Sequence, residues 1–327
     1  MLSTFLYRKG KPLETDLTRA QMLAALHEKE GLLWVDLENP TEFESDALVE
    51  IFNFHDLAVE DCINDQSQPK VDDYEEYLFL VMHAVKCVKD ESKKTEEVLT
   101  IELDIFLGKS YVVTFHKVPV KAVEQVREAT KKKPDVVMGH ASDMLVHNLL
   151  DHLVDNYQPV LDEFDRKIDE IEEEIFNHPS DNYLASILQM KRDIFHLRRI
   201  VSPQRDTINF LTRNPTAFIK PKNLIYFRDV YDHLFRIYGI VEGFHEMMTS
   251  IVQVYFSHSS HKLNEVIKRM TVLATLSMPA IMIASIYGMN FKYMPELEWP
   301  LGYFGSLLLM GTLSVGMLVW MKIKKWI

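Results

Sequence analysis

Two long uncharged stretches near the C-terminus constrain the fold of this 327-residue chain more than any other feature. The first has 22 residues and lies between Arg269 and Lys292, and the second has 23 residues and lies between Glu298 and Lys322. A helix of about 20 residues crosses roughly 30 Å of hydrocarbon, so each stretch is long enough to span a bilayer. The alternative is a pair of helices buried in a water-soluble core. We predict a transmembrane hairpin with spans at about 270–290 and 299–321.

The charges around the two spans predict their orientation. Six basic residues flank the hairpin, before its first span and after its second: Lys262, Lys268, Arg269, Lys322, Lys324 and Lys325. The short connection between the spans has only Lys292. Basic residues concentrate on the cytoplasmic side of membrane helices, so both termini, with the last three lysines, are expected in the cytoplasm. The first residues contain no signal-peptide-like apolar run, which predicts that the large N-terminal part stays in the cytoplasm. With its two spans, the chain is expected to be a multi-pass protein of the cell (inner) membrane.

The part of the chain before the hairpin is strongly acidic. Positions 1–261 contain 45 acidic and 29 basic residues, within a whole-chain net charge of −12. Proteins that bind nucleic acid neutralise phosphates with Lys and Arg, so this balance disfavours a nucleic-acid partner. It favours cations as partners.

Motifs typical of enzymes are missing from the sequence. There is no G-x-x-x-x-G-K-[ST] loop and no G-x-G-x-x-G turn. His245-Glu246 begins like a zinc-protease helix, but the second histidine that such a helix needs four residues after the first is absent. We therefore predict that the protein is not an enzyme.

The first third of the chain alternates strand-like and helix-like patterns. The strand-like runs are 32–37, 77–88, 99–107 and 111–116, and the helix-like runs are 17–27, 41–54 and 120–130. This alternation predicts a cytoplasmic α/β domain over residues 1–140, with a sheet of mixed or undetermined strand order.

Helical periodicity replaces the strand signal from about Ser142 and continues to the membrane. Apolar residues three and four apart form one seam over 154–175, in which Pro159 should break the helix, and a second seam over 227–255. No proline lies between Pro221 and Pro279, so 57 residues can form one helix that continues into the first span. A packed helical bundle is the alternative to such a stalk.

These patterns together predict an α+β fold with three parts. An N-terminal cytoplasmic α/β domain is followed by an acidic, coiled-coil-like helical stalk over 141–265 and by the transmembrane hairpin with its basic tail over 266–327.

Tyr287-Gly288-Met289-Asn290 stands at the outer end of the first span. A glycine at the end of a helix is usually a C-cap. The sequence, however, closely resembles the CorA family of magnesium channels: Gly288-Met289-Asn290 matches the signature triad of that family. The likeness extends through Met294-Pro295-Glu296-Leu297 to the tail Lys322-Ile323-Lys324-Lys325-Trp326 and covers most of the chain.

The resemblance implies a homopentamer in the lipid bilayer whose first spans line a central pore. Gly288, Met289 and Asn290 would form the selectivity filter, where neutral oxygens hold hydrated Mg²⁺ by its outer shell. The pore-lining residues implied by the resemblance are Asn264, Ile267, Met270, Met278 and Ile281. Glu296 and Glu298 in the outer loop would raise the local cation concentration, and an ordinary solvated loop is the alternative for these two residues.

The resemblance also implies a regulatory metal site in the cytoplasm. Asp229 matches the stalk aspartate of that site, and Asp151 and Asp65 are the expected partners. Facing carboxylates of neighbouring subunits repel each other until a divalent cation binds between them, so cytoplasmic Mg²⁺ would hold the channel closed.

The resulting prediction is a pentameric channel for Mg²⁺ influx. Co²⁺ and Ni²⁺ are further candidate cargo, because their hydrated ions resemble hydrated Mg²⁺ in size and charge. A Zn²⁺ transporter of the same superfamily is the nearest alternative. A membrane-anchored divalent-cation sensor that conducts nothing is the alternative from a different functional class.

Overall fold

A computed structural model describes residues 1–28, 30–64, 68–90, 95–177, 183–214 and 216–326 of the chain. The chain divides into two compact units, Met1–Ser250 and Ile251–Ile327. Seven strands lie in the first unit: β1 Leu2–Tyr7, β2 Glu14–Thr15, β3 Leu32–Glu38, β4 Lys70–Asp73, β5 Leu78–Asp90, β6 Thr95–Leu107 and β7 Tyr111–His116.

The described helices follow the same numbering along the chain. They are α1 Arg19–Glu28, α2 Glu42–Glu50, α3 Asp56–Asn64, α4 Lys121–Lys132, α5 Pro134–Val137, α6 Ser142–Asp155, α7 Gln158–Asn177, α8 Tyr183–Arg213, α9 Leu224–Tyr287 and α10 Gly302–Ile323. Short 3₁₀ helices cover Pro221–Asn223 and Pro295–Glu298.

The strands form one mixed sheet in the order β2-β1-β3-β7-β6-β5-β4. β3 and β7 are parallel, and the other neighbours are antiparallel. The parallel pair joins two segments that lie far apart in the sequence, with Leu33 opposite Tyr111 and Glu38 opposite His116. The predicted α/β domain is therefore confirmed, and its sheet is mixed.

Helices cover the sheet because successive residues of each strand point to opposite faces. On one face, Leu33, Val35 and Leu37 of β3 belong to a buried cluster that includes Met22 of α1 and Leu48 of α2. Helices α6, α7 and α8 contact β5, and α6 also contacts β6 and β7. The helices after position 141 thus pack on the sheet within the same compact unit, while a domain boundary at 140/141 stays a prediction.

A buried hydrogen-bond cluster ties these helices to the sheet. The backbone N–H of His83 on β5 donates to Oε1 of Gln204 on α8 at 2.8 Å. The Tyr157 hydroxyl donates to the His83 carbonyl at 2.7 Å and accepts from Nε2 of Gln204 at 2.5 Å. Because Tyr157 and Gln204 are fully buried, removal of either side chain would leave polar groups of the other two residues without partners.

The predicted helical seams are buried where the helices pack. The first seam is interrupted before α7, in which Pro159 is the second residue, so the predicted break is confirmed. Every seam residue from Val154 to Ile175 is buried, as is every seam residue from Phe227 to Ile251. The longest helix, α9, continues through Pro279 to Tyr287.

The second unit contains the end of α9, the 3₁₀ turn and α10. Both helices are long and apolar enough to cross a membrane, and almost none of either apolar window is buried in the chain. The Ser314 hydroxyl of α10 donates to the Leu276 carbonyl of α9 at 3.3 Å, and Met321 is buried. The two helices thus pair as a hairpin, and the apolar windows that could cross a membrane are exposed.

Candidate ion pathway and metal site

The part of α9 in the second unit is exposed on all sides over 256–270, and from 272 onward one side is half-buried while the other stays exposed. The predicted pore-lining residues are all exposed: Asn264, Ile267, Met270, Met278 and Ile281. At 3.6 residues per turn they fall within an arc of about 120°. The half-buried residues of 272–283 cluster on the opposite side, where Leu276 meets Ser314. The predicted stripe therefore faces away from α10.

The Gly288-Met289-Asn290 triad follows directly after the last residue of α9. The Gly288 N–H still donates to the Ala284 carbonyl at 3.0 Å, and the Met289 N–H donates to the Ile286 carbonyl at 3.2 Å. A Cβ at Gly288 would lie 3.3 Å from the Ala284 oxygen, so glycine avoids crowding at this helix end. The triad leaves the helix here, and all three residues are exposed.

The backbone of the outer loop approaches Gly302, at the start of α10, too closely for a side chain at that position. A Cβ at Gly302 would lie only 2.4 Å from the carbonyl oxygen of Glu296, which no side chain can tolerate without a backbone shift. The Gly302 N–H donates to the Trp299 carbonyl at 3.1 Å. Glu296 and Glu298 are both exposed. The acidic turn therefore has a fixed backbone and free carboxylates.

The basic tail closes α10 with a defined cap. The Trp326 N–H donates to the Met321 carbonyl at 2.9 Å and the Lys325 N–H donates to the Lys322 carbonyl at 3.1 Å, while Lys325 has a φ of 57°. These two bonds with a left-handed residue form a Schellman motif. Lys322, Lys324 and Lys325 are all exposed. The turn thus gathers the three cations at one helix end, where they also complement the helix dipole.

Asp151 of α6, Asp229 of α9 and His233 of α9 form a cluster in the first unit. One ligand atom from each lies within 4.8 Å of those of the other two. The sequence analysis grouped Asp151 with Asp229, and the structure brings these two together within a single chain. Asp229 is exposed, whereas Asp151 and His233 are half-buried, so water can complete a coordination sphere.

Two carboxylates and an imidazole are a donor set that suits divalent cations. The carboxylates supply two negative charges and hard oxygen ligands, which Mg²⁺ accepts. The imidazole nitrogen adds affinity for Co²⁺, Ni²⁺ and Zn²⁺. Sequence reasoning missed His233, although its position four residues after Asp229 puts both side chains on one helix face. The third predicted ligand, Asp65, lies outside the described residues.

A second group of acid and imidazole side chains lies at the ends of the parallel strands β3 and β7. His116 Nε2 is 3.2 Å from Asp36 Oδ1, which also accepts from the Thr114 hydroxyl at 2.6 Å. Arg127 Nη1 lies 3.7 Å from Asp36 Oδ2 and 3.5 Å from Glu38 Oε2. The Arg127 guanidinium and the His116 imidazole thus face the two carboxylates.

The protonation of His116 follows from its partners. His116 Nδ1 lies 2.8 Å from the Val118 carbonyl, to which it can only donate, and Nε2 faces the carboxylate of Asp36. Burial lowers the pKa of His116, but the hydrogen bond and negative charge of Asp36 outweigh burial and raise it above its usual value. We interpret this group as a buried ion-pair network of the fold rather than as part of an ion pathway.

Comparisons with known proteins identify similar sequences. A sequence model of the family described as CorA-like Mg²⁺ transporter protein matches residues 29–325. The chain is 36% identical over 278 residues to the cobalt/magnesium transport protein CorA of Thermotoga maritima, covering 85% of this chain and 78% of that protein.

Two solved structures share the fold. The CorA magnesium transporter of Methanocaldococcus jannaschii has a TM-score of 0.85 at 19% identity, covering 100% of this chain and 99% of that chain. The cytoplasmic domain of ZntB from Vibrio parahaemolyticus has a TM-score of 0.61 at 12% identity, covering 79% of this chain and 98% of that chain. These two likenesses concern the fold alone.

Proposed function

The chain belongs to the CorA-like Mg²⁺ transporter family, and from that premise we propose that it is a homopentameric channel that admits Mg²⁺ across the cell membrane. The relatives named above are transporters, in agreement with the prediction that the chain is not an enzyme. The observation that carries the proposal is the triad Gly288-Met289-Asn290 at the end of a helix whose exposed stripe faces away from its hairpin partner.

One hairpin cannot enclose an ion path. Its two helices pair through Leu276 and Ser314, and the stripe that begins at Asn264 is left exposed. A ring of identical subunits would bring five such stripes together around an axis and keep them from lipid. The other exposed surface of the hairpin would then face the lipid bilayer.

The outer mouth of this ring would select ions by their hydration. Mg²⁺ releases water reluctantly, so the neutral oxygens of Gly288 and Asn290 would hold the hydrated ion through its outer shell. A ring of carboxylates would bind the ion more tightly and release it more slowly. Glu296 and Glu298, exposed in the adjacent loop, would instead raise the local concentration of cations.

The middle of the proposed pore is apolar. Ile267, Met270, Met278 and Ile281 would form rings that exclude water when the helices are close together. Asn264 would contribute a polar ring at the inner end. The gate would open when the first spans separate enough for water to enter.

The cluster of Asp151, Asp229 and His233 would provide feedback. Without a cation the two carboxylates repel each other, and a divalent cation would hold them together. Asp229 belongs to α9, which also includes the proposed pore stripe, so binding at the cluster would act on the pore-lining helix. Mg²⁺ is the proposed regulatory ion, and Asp65 is a further proposed ligand.

The proposed orientation places both termini in the cytoplasm. The basic residues that flank the hairpin, including the exposed Lys322, Lys324 and Lys325, support this orientation through the excess of positive charge on that side. In the proposed pentamer these three lysines would form a basic cytoplasmic ring. The proposed location is the inner or plasma membrane of the cell.

The proposal is tested by ion entry into liposomes that contain the purified protein. Separate assays with fluorescent indicators measure Mg²⁺, Co²⁺, Ni²⁺ and Zn²⁺, with protein-free liposomes as the control. Mg²⁺ entry that falls when millimolar Mg²⁺ is present on the cytoplasmic face is the expected result. Entry of Zn²⁺ without Mg²⁺ would instead identify a zinc transporter. A well-folded oligomer that admits none of these ions would identify a non-conducting sensor.

A further inference from the structure

A polar cavity of about 390 Å³ opens beside the N-terminus of α6 in the first unit. Its described lining comes from the segment that precedes α6 and from the segment that leads into α9: Gly139, His140, Ala141, Met144, Lys220, Lys222, Asn223 and Tyr226. We name it the α6–α9 cavity. None of its described lining residues belongs to the hairpin or to the buried network around Asp36.

The charge of the α6–α9 cavity is opposite to that of its surroundings. Lys220 and Lys222 line it, and no carboxylate is among its described lining residues. Neither lysine forms an ion pair with any residue that the structure describes, although positions 1–261 contain 45 acidic residues. Two unpaired cations at one cavity in an acidic protein point to an anionic ligand.

The wall of the cavity is held rigidly from behind. Asp143 is fully buried, and its Oδ2 accepts from the Lys220 backbone N–H at 2.9 Å and from Asn223 Nδ2 at 2.8 Å. This carboxylate therefore fixes the segment that presents both lysines. Rigid placement lowers the entropy lost when a ligand binds.

The start of α6 also lines the cavity, through Ala141 and Met144. The Met144 N–H donates to Oδ1 of Asp143 at 3.0 Å, and Ala141, the N-cap residue, has no side chain that can cap the helix. The two lysines are therefore the groups that would hold an anion here.

The cavity and the cation cluster are both formed by residues of α6 and α9. Tyr226 lines the cavity, and Asp229 lies three residues further along α9, about one turn away. Met144 lines the cavity, and Asp151 lies two turns further along α6, roughly 10 Å away. His147 stands between Met144 and Asp151 on α6, and its ring is 5.3 Å from the ring of Tyr226.

We propose that the α6–α9 cavity binds the phosphate groups of a polyphosphate anion. A chain of phosphates is long enough to cover the short distance to the cation cluster and to share the divalent cation of Asp151 and Asp229. This sharing rests on the proposed function, whereas binding of the anion in the cavity does not. A nucleoside triphosphate and inorganic tripolyphosphate both have this chemistry.

The first test measures binding of ATP and of tripolyphosphate to the full-length protein in detergent with EDTA present. The double variant Lys220→Gln/Lys222→Gln should bind both anions at least about tenfold more weakly, because each lysine supplies a charge-assisted contact. The control is Lys9→Gln/Lys11→Gln, which removes two exposed lysines at the same spacing in the first unit. Equal weakening in both double variants, or no binding of tripolyphosphate to the wild type, would overturn the proposal.

The second test adds Mg²⁺. Affinity for tripolyphosphate should rise in the wild type, and Asp229→Asn should lose this rise while it keeps the affinity measured in EDTA. A rise that persists in Asp229→Asn would overturn the sharing of the cation. Mg²⁺ uptake is measured separately in liposomes. Anion binding without uptake would reject the proposed channel and leave the cavity assignment intact, and uptake without anion binding would reject the cavity assignment alone.

Discussion

A carboxylate oxygen of Asp151 on α6 lies within 4.8 Å of one on Asp229 of α9. Two negative charges at this distance destabilise each other unless a cation binds between them. Both carboxylates belong to one chain, and the proposed regulatory cation would bind them together with a carboxylate of a neighbouring subunit. His233 supplies a third ligand atom within the same distance.

Replacement of Asp229 by Asn should abolish stabilisation by Mg²⁺. With EDTA present, the variant should melt at the same temperature as the wild type or higher, because one of two repelling charges is removed. With Mg²⁺ added, only the wild type should gain stability. Thermal melting of the full-length protein in detergent measures both effects. Asp232→Asn, an exposed change on the same helix outside the cluster, is the control and should behave like the wild type.

His233→Ala should change the order of metal preference at the cluster. Imidazole contributes to the binding of Co²⁺, Ni²⁺ and Zn²⁺ far more than to that of Mg²⁺. We expect the affinity for Co²⁺ to fall by roughly tenfold or more and that for Mg²⁺ to change little. Titration of the purified protein with each ion measures the two affinities. Equal losses of affinity for Co²⁺ and Mg²⁺ would contradict a role of His233 as the ligand that favours Co²⁺.

The stability of the first unit should depend on pH through His116. Its pKa is raised in the folded chain by Asp36, despite burial. The ion pair therefore contributes fully below the unfolded value of about 6.5 and is lost as pH rises through the folded value. His116→Gln should be less stable by about 3 kcal/mol at pH 6 and should lack this pH dependence.

Thermal melting between pH 5 and pH 9 measures the contribution of His116. His27→Gln, which changes an exposed histidine of the same unit, should keep the wild-type profile. A variant at position 116 with the same pH dependence as the wild type would contradict a charged His116.

Gly302→Ala should destabilise the outer loop. The added Cβ would lie 2.4 Å from the Glu296 carbonyl oxygen, so the backbone must shift at a cost of about 1–3 kcal/mol. Gly305→Ala is the matched control, because a Cβ at Gly305 would meet nothing within 4 Å. Melting temperatures of the two variants should differ accordingly. Equal melting temperatures of Gly302→Ala and Gly305→Ala would contradict the close approach of Gly302 to the Glu296 carbonyl.

Local pattern predicted many of the elements but not how they pair. The runs 32–37 and 111–116 match β3 and β7 to within one residue, because each is a short segment rich in apolar, β-branched and aromatic residues. Their parallel pairing joins residues far apart in sequence, and no local periodicity encodes such a contact. The strand order therefore came from the structure alone.

The candidate metal site was predictable in part. Asp229 and Asp151 came from the resemblance to a family, and the structure brings them together. His233 lies four residues after Asp229, a spacing that the sequence does display. It was missed because a lone histidine on a helix has no partner until the position of α6 is known. The α6–α9 cavity was missed for the same reason, since Lys220 and Ala141 are distant in sequence.

The most direct test of the proposed channel compares Mg²⁺ uptake by liposomes that contain the wild type or Asn290→Ala. The wild type should admit Mg²⁺, and millimolar Mg²⁺ on the cytoplasmic face should suppress entry. Asn290→Ala should assemble normally and admit no Mg²⁺, because the ring that holds the hydrated ion is lost. Tyr293→Phe, a change at an exposed residue of the same loop, should retain uptake. Equal uptake by the wild type and Asn290→Ala would contradict the assignment of the selectivity filter to Gly288-Met289-Asn290.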